Sequence, residues 1–220
     1  MLYDLVIKRS PRRKTVALRV LNARTVELRA PQWVSDEYLK ALLSKREQWL
    51  QKVLSSCPEP MSFHDGAHFM IDGESYLLRW YQPLGRGRVY LSEKVLFLPV
   101  NNVEAAAKSL RQYLRQRAAE VLLARCQELA LQMGRKPSDV LVRSFTARWG
   151  SCDSQGVIKL NWRLIMAPTD VRDYVIIHEL AHMVEMNHSV HFWREVESWM
   201  PNYKQHYQWL KQHGPILLAV

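Results

Sequence analysis

His178 and His182 stand four residues apart, with Glu179 between them, in the segment HELAHMVEMNHSVHFW, His178–Trp193. On a helix this spacing leaves the two imidazoles about 40° apart on one face, where both can offer a ring nitrogen to a single ion. Glu179 projects beside them and suits a general base that takes a proton from an attacking water and returns it to a leaving group. The pattern His-Glu-x-x-His arises by chance in roughly 2% of chains of this composition, so it is a strong pointer to metal-assisted hydrolysis without being decisive.

A hydrolytic zinc site takes three protein ligands and keeps a position open. The spacing favours His188 as the third. It lies too far along for the same helical face, but a helix ending near Met186 turns the chain back toward the ion. Asn187 tolerates the left-handed backbone that ends helices. Requiring this third histidine lowers the chance figure below about 0.1%. His191, Glu185, Glu195 and Glu197 remain open as alternatives. Tyr203, His191 and Tyr207 follow closely enough to donate to a developing oxyanion, with Tyr203 preferred. Met200 could form an apolar floor beneath the metal, and Arg148 and Trp149 could contact substrate. Cys152 reads as a structural thiol rather than a soft ligand.

The segment His178–Trp193, together with RWGSC (Arg148–Cys152) and LNWRLI (Leu160–Ile165), resembles the YgjP-like metallopeptidase family. More distantly, it is similar to the SprT-like and WLM-type zinc proteases. The resemblance implies zinc held by His178, His182 and His188, Glu179 as catalytic acid and base, and a zincin-like core.

These residues need a scaffold, and the rest of the chain supplies an α+β pattern. Alternation over Thr15–Val20 and Thr25–Arg29 around Asn22-Ala23-Arg24 predicts a hairpin. Ser35 caps a helix expected to reach about Leu54. Strands return from Phe63 to Val100, with Asp72-Gly73 as a turn. A long helix follows from about Val103 to Met133. Val140–Phe145 and Val157–Leu160 read as two antiparallel strands flanking the turn 149–156, the second a candidate for pairing with an extended peptide. The metal-motif helix runs from Thr169 to about Met186, and helices at His191–Trp199 and Lys204–Gln212 finish the chain. The division expected is a β-rich region with one helix over residues 1–100 and the zincin-like core over 101–220.

The 220 residues carry a formal charge of +10, of which +6 falls in residues 1–60. Lys8, Arg9, Arg12, Arg13 and Lys14 concentrate it at the front. Nucleic acid is a possible partner of this basic hairpin, as for a protease acting on DNA-bound proteins, although a solvated basic face is the plainer reading. Three cysteines, Cys57, Cys126 and Cys152, argue against a disulfide framework. There is neither a secretory apolar core nor a run of membrane-spanning length, so a soluble cytoplasmic enzyme is expected. A peptide or protein is the expected substrate. A nucleotide or other phosphoanhydride is the alternative, weakened by the lack of a Gly-rich phosphate loop. Oligomeric state leaves no mark on the sequence.

Overall fold

The computed structural model describes residues 3–22, 24–56 and 62–220. Ala23 and Cys57, which figured in the turn and cysteine readings, lie outside them. The chain divides into two compact units at residue 61, with Ala219 counted in the first and Val220 in the second. The boundary expected at residue 100 therefore moves forward, because the strands after residue 62 pack on the helices of the second unit.

In the first unit, β1 (Asp4–Ser10), β2 (Ala17–Asn22) and β3 (Thr25–Pro31) form a sheet in the order β1-β3-β2. The predicted β2–β3 hairpin is antiparallel, and the basic N-terminal stretch adds β1 parallel to β3. Being central, β3 is buried on both faces. Val26 and Leu28 join a core with Leu39, Leu43, Leu50 and Leu54, while Glu27 on the other face is 1% exposed. Lys8 and Arg29 neutralise Glu27 at 2.6 and 2.5 Å, and Arg9 pairs with Asp36 and donates to the carbonyl of Val34. With Arg13 Nε donating to the Thr15 carbonyl at 3.0 Å, three of the five basic residues at the front are engaged within the unit. The single helix expected after Ser35 is two: α1 (Asp36–Lys45), with the Ser35 hydroxyl accepting from Tyr38 N–H, and α2 (Glu47–Ser56). Arg46 interrupts them by folding its N–H back onto the carbonyls of Leu42 and Leu43.

The second unit begins with β4 (His68–Ile71), β5 (Glu74–Trp80), β6 (Tyr90–Ser92) and β7 (Val95–Leu98), in the order β4-β5-β7-β6. Then come α3 (Val103–Gln132), β8 (Asp139–Arg143), β9 (Gly150–Cys152), β10 (Val157–Asn161), a 3-10 turn at Trp162–Met166, α4 (Thr169–Ala181), α5 (Val190–Trp199) and α6 (Tyr203–Leu218). Helix α3 buries Leu110, Leu114, Ala118, Leu122, Cys126 and Ala130, a stripe recurring every fourth residue as one helical face demands. The fold is α+β. Its sheets are mixed rather than antiparallel: β5 pairs parallel with β7, and β8 parallel with β10. The expected antiparallel pairing of Val140–Phe145 with Val157–Leu160 fails because β9 forms inside the intervening segment and takes the antiparallel place beside β10.

Two polar fasteners set the position of α4. The Asp72-Gly73 turn has positive φ at both residues, 54° and 78°, as a tight hairpin requires. Its N–H groups donate to the carbonyls of Ile165 and Met166, and Asp72 accepts from Arg117 of α3 at 2.7 Å and Arg172 of α4 at 2.5 Å. A side chain on Gly73 would collide with Pro168, with its Cβ 2.7 Å from the ring. About two turns further along α3, Arg125 grips Asp173, the residue next to Arg172, with two bonds of 2.9 and 2.7 Å. Among the described residues, no helix is long and apolar enough to cross a membrane.

Candidate metal centre

Helix α4 is buried nearly all round, from Val171 to Ile177 and again over Glu179–Ala181, so it cannot rotate without disrupting the core. It stops at Ala181, five residues sooner than expected, and His182 is its cap. The chain leaves through a tight turn in which the Val184 and Glu185 N–H groups both donate to the Ala181 carbonyl. Asn187 N–H donates to the Glu185 carboxylate, and the Ser189 hydroxyl, accepting from Phe192 N–H, starts α5. His188 is delivered by this short link between two capped helices, with no glycine in it.

The ring nitrogens of His178, His182 and His188 lie within 4.8 Å of one another. His178 Nε2 and His188 Nε2 face each other at 3.1 Å, close to the separation of about 3.3 Å spanned by two imidazoles bound tetrahedrally to one zinc. The carbonyl of Glu185, 3.1 Å from His182 Nδ1, can only accept. Nδ1 therefore carries the proton and Nε2 keeps its lone pair, as a metal ligand needs. Burial, reinforced by the neighbouring His182 and His188, pushes His178 down to about 3, so its ring is neutral. Burial also lowers His182. Three imidazoles with converging nitrogens fit a borderline-soft divalent ion.

Beneath the triangle lies Phe192, fully buried, its ring centroid 4.9, 4.5 and 4.7 Å from those of His178, His182 and His188. The apolar floor is thus Phe192, whereas Met200, the residue suggested for it, caps the end of α5. Nothing in the histidine pattern singled out Phe192.

Glu179 is 5% exposed and sits under β9. A Cβ on Gly150 would lie 2.7 Å from its Cγ and 2.8 Å from its Cδ, so the carboxylate occupies the space that a side chain at 150 would fill. Burial pushes Glu179 up to about 8, against the opposing pull of Arg148 and the Cys152 backbone N–H. Gly150 also escaped the sequence reading, which treated RWGSC as a motif without a reason for its glycine.

A cleft of about 420 Å³ opens beside His178 and Glu179, lined by Arg148, Trp149, Gly150, Tyr174, Tyr207 and Lys211 among others. Arg148 and Trp149 are thus brought to the site. Strand β10, suggested as the cleft strand, is instead the middle strand of its sheet, and β9 lies at the edge. Trp149 O accepts from Asn161 N–H across that pair, so by alternation the Gly150 and Cys152 backbones face away from β10, and the Cys152 N–H donates to Glu179.

Other candidates fall elsewhere. Tyr203 is half-buried and stacked between Trp193 at 5.3 Å and Tyr174 at 6.3 Å, and it is not among the residues lining the cleft, whereas Tyr207 is. His191 is exposed on α5 and outside the histidine cluster. Glu195 pairs with Arg135 at 2.6 Å, Glu197 is exposed, and Glu185 serves the turn. Cys152 is a half-buried free thiol whose pKa burial and Glu179 push up to about 11.

The profile of the YgjP-like metallopeptidase domain matches residues 14–213, nearly the whole chain. The chain belongs to the YgjP-like family. Membership makes it a metallopeptidase by family and implies a metal, for which the histidine cluster supplies a fitting donor set. Among solved structures, the zymogen of abylysin, a metallopeptidase of Pyrococcus abyssi, is 23% identical. That match covers 42% of this chain and 94% of the other, with a TM-score of 0.38. The zymogen of jannalysin, from Methanocaldococcus jannaschii, is 16% identical, covering 41% and 94%, also with a TM-score of 0.38. No curated protein matches the chain significantly.

Proposed function

We propose that this YgjP-like protein is a zinc peptidase that holds its ion through His178, His182 and His188 and uses Glu179 as general base and acid. The observation that carries this reading is the open set of three imidazoles with a buried carboxylate on the next residue of the same helix. Structural zinc is held by four closed ligands, whereas a hydrolytic site leaves one position free. When bound, the ion supplies Lewis acidity to the scissile carbonyl and to the attacking water. Glu179 takes that water's proton and passes it to the leaving nitrogen. Its raised pKa lets it hold a proton between the two steps, and a nearby cation draws that pKa back toward neutrality.

The free edge of β9 favours a peptide over other substrates, because the N–H and C=O of Gly150 are turned to the cleft where an extended chain can pair with them. Arg148 and Lys211 favour a second reading, hydrolysis of an anionic phosphoanhydride, since they are cationic groups bordering the cleft. Zinc-loaded protein and its Glu179→Gln variant, assayed on casein, peptides and nucleoside triphosphates with metal content measured in parallel, test both. The variant should bind one zinc per chain and lose roughly 10²-fold or more of peptidase activity. Full activity in the variant refutes the role of Glu179, and turnover of triphosphates alone selects the second reading.

A further inference from the structure

Four arginines of the second unit, Arg111, Arg115, Arg143 and Arg163, lie near one another, and among the described residues none has a carboxylate side chain as ion-pair partner. Arg115 and Arg163 both lie over its ring, their guanidinium carbons 5.3 and 4.5 Å from the centroid. Arg115, Arg143 and Ser144 line, with Trp162, an open cleft of about 280 Å³ between α3 and the end of β8. Arg163 Nη1 donates to Ser144 Oγ at 3.2 Å, which draws it to the same rim, and Nη2 donates to the backbone oxygen of Val220, the last residue, at 3.2 Å. Arg111 stands one helical turn before Arg115, over Phe63 at 5.6 Å.

Several other arginines of this unit are paired with carboxylates: Arg117 and Arg172 with Asp72, Arg125 with Asp173, Arg135 with Glu195. Among the described residues, no carboxylate side chain lies within ion-pair distance of Arg111, Arg115, Arg143 or Arg163. The charges act on one another instead. Arg163 is lowered by burial and then by the repulsion of Arg115 and Arg111, and its Nε is buried without a partner. Trp162, 1% exposed, and Asn161, whose side chain ties down the carbonyls of Phe145 and Arg148, hold the backbone beneath these side chains. Like charges fixed on a rigid base, beside a hydroxyl and a cleft of this size, complement a compact multivalent anion, and guanidinium forks match phosphoryl oxygens.

We propose that Arg115, Arg143, Arg163 and Ser144 form a binding site for a small phosphate or phosphate-ester ligand, separate from the metal centre. The inference is independent of the peptidase reading, since it requires neither turnover nor metal.

Calorimetric titration of the full chain with pyrophosphate tests it, comparing wild type, the exposed pair Arg115→Gln/Arg143→Gln, and the control pair Lys40→Gln/Lys45→Gln, which removes the same charge from α1. Wild type should bind one pyrophosphate. The arginine pair should weaken binding at least tenfold with an unchanged ligand-free Tm, and the control pair should stay within twofold of wild type. Absence of binding to wild type overturns the proposal. So does equal affinity in the arginine pair, which assigns the anion to the histidine cluster, or an equal loss in the control pair, which leaves only the general field of a basic protein. A single-stranded oligonucleotide is titrated alongside. Binding of the oligonucleotide without pyrophosphate binding overturns the small-ligand assignment in favour of a nucleic-acid backbone.

Discussion

Gly150 and Glu179 are in mutual contact across the site: a Cβ at 150 would stand 2.7 Å from Glu179 Cγ. Backbone of β9 and carboxylate of α4 therefore share one space, and the position of the proposed base depends on a residue without a side chain. The substitution Gly150→Ala should push the carboxylate off line while sparing the histidines. A displacement of about 1 Å is worth roughly a hundredfold in rate, so kcat should fall by that order at full zinc occupancy. Steady-state kinetics with metal analysis provide the check, and unchanged kcat would show that Glu179 tolerates the shift.

His188 reaches the other two histidines through a turn held by short-range bonds, whereas His191 points to solvent on α5. Zinc should raise the Tm of wild type and of His191→Ala but not of His188→Ala. At a free zinc concentration a thousand times Kd, binding contributes about 4 kcal/mol, which chelation removes. Thermal melts with and without chelator read this directly. Zinc stabilisation persisting in His188→Ala would move the third ligand elsewhere.

Arg148 and Lys211 border the cleft, and the carboxylate they share it with is Glu179. Substrates carrying a negative charge in the segment bound there should be preferred, and Lys211→Glu should reverse the order for matched peptides with Glu or Lys at one position. A tenfold change in the ratio of kcat/KM values corresponds to about 1.4 kcal/mol, within reach of one charge at a partly buried site. An unaltered ratio would remove Lys211 from recognition.

Glu27 gives the first unit a pH dependence of its own. The Lys8 ammonium, then the Arg29 guanidinium, holds this carboxyl below its ordinary range through hydrogen bonds. A pKa lowered on folding means that the stabilisation is present above the unfolded value, about 4.3, and is lost as pH falls through the folded value. Urea midpoints followed from neutral pH to below 4 should fall more steeply for wild type than for Glu27→Gln. At neutral pH the variant should already cost about 1–3 kcal/mol, the penalty for a disturbed buried polar partner. Parallel slopes would mean that Glu27 titrates normally.

The sequence by itself determined whatever neighbouring residues decide among themselves. The spacing of His178 and His182 places both on one helical face, Ser35 caps a helix by a bond three residues away, and Asp72-Gly73 makes a turn wherever it is docked. These are local consequences of backbone geometry, and they delivered the α+β class and the histidine motif. Tertiary structure alone decided what depends on residues distant in the chain. Gly150 matters because Glu179 fills its vacant side, Phe192 because three imidazoles rest on it, and Glu27 is buried because β1 pairs with β3. The parallel register of β8 and β10 likewise reflects the insertion of β9, since alternation within a strand specifies which face is buried but not which neighbour runs beside it.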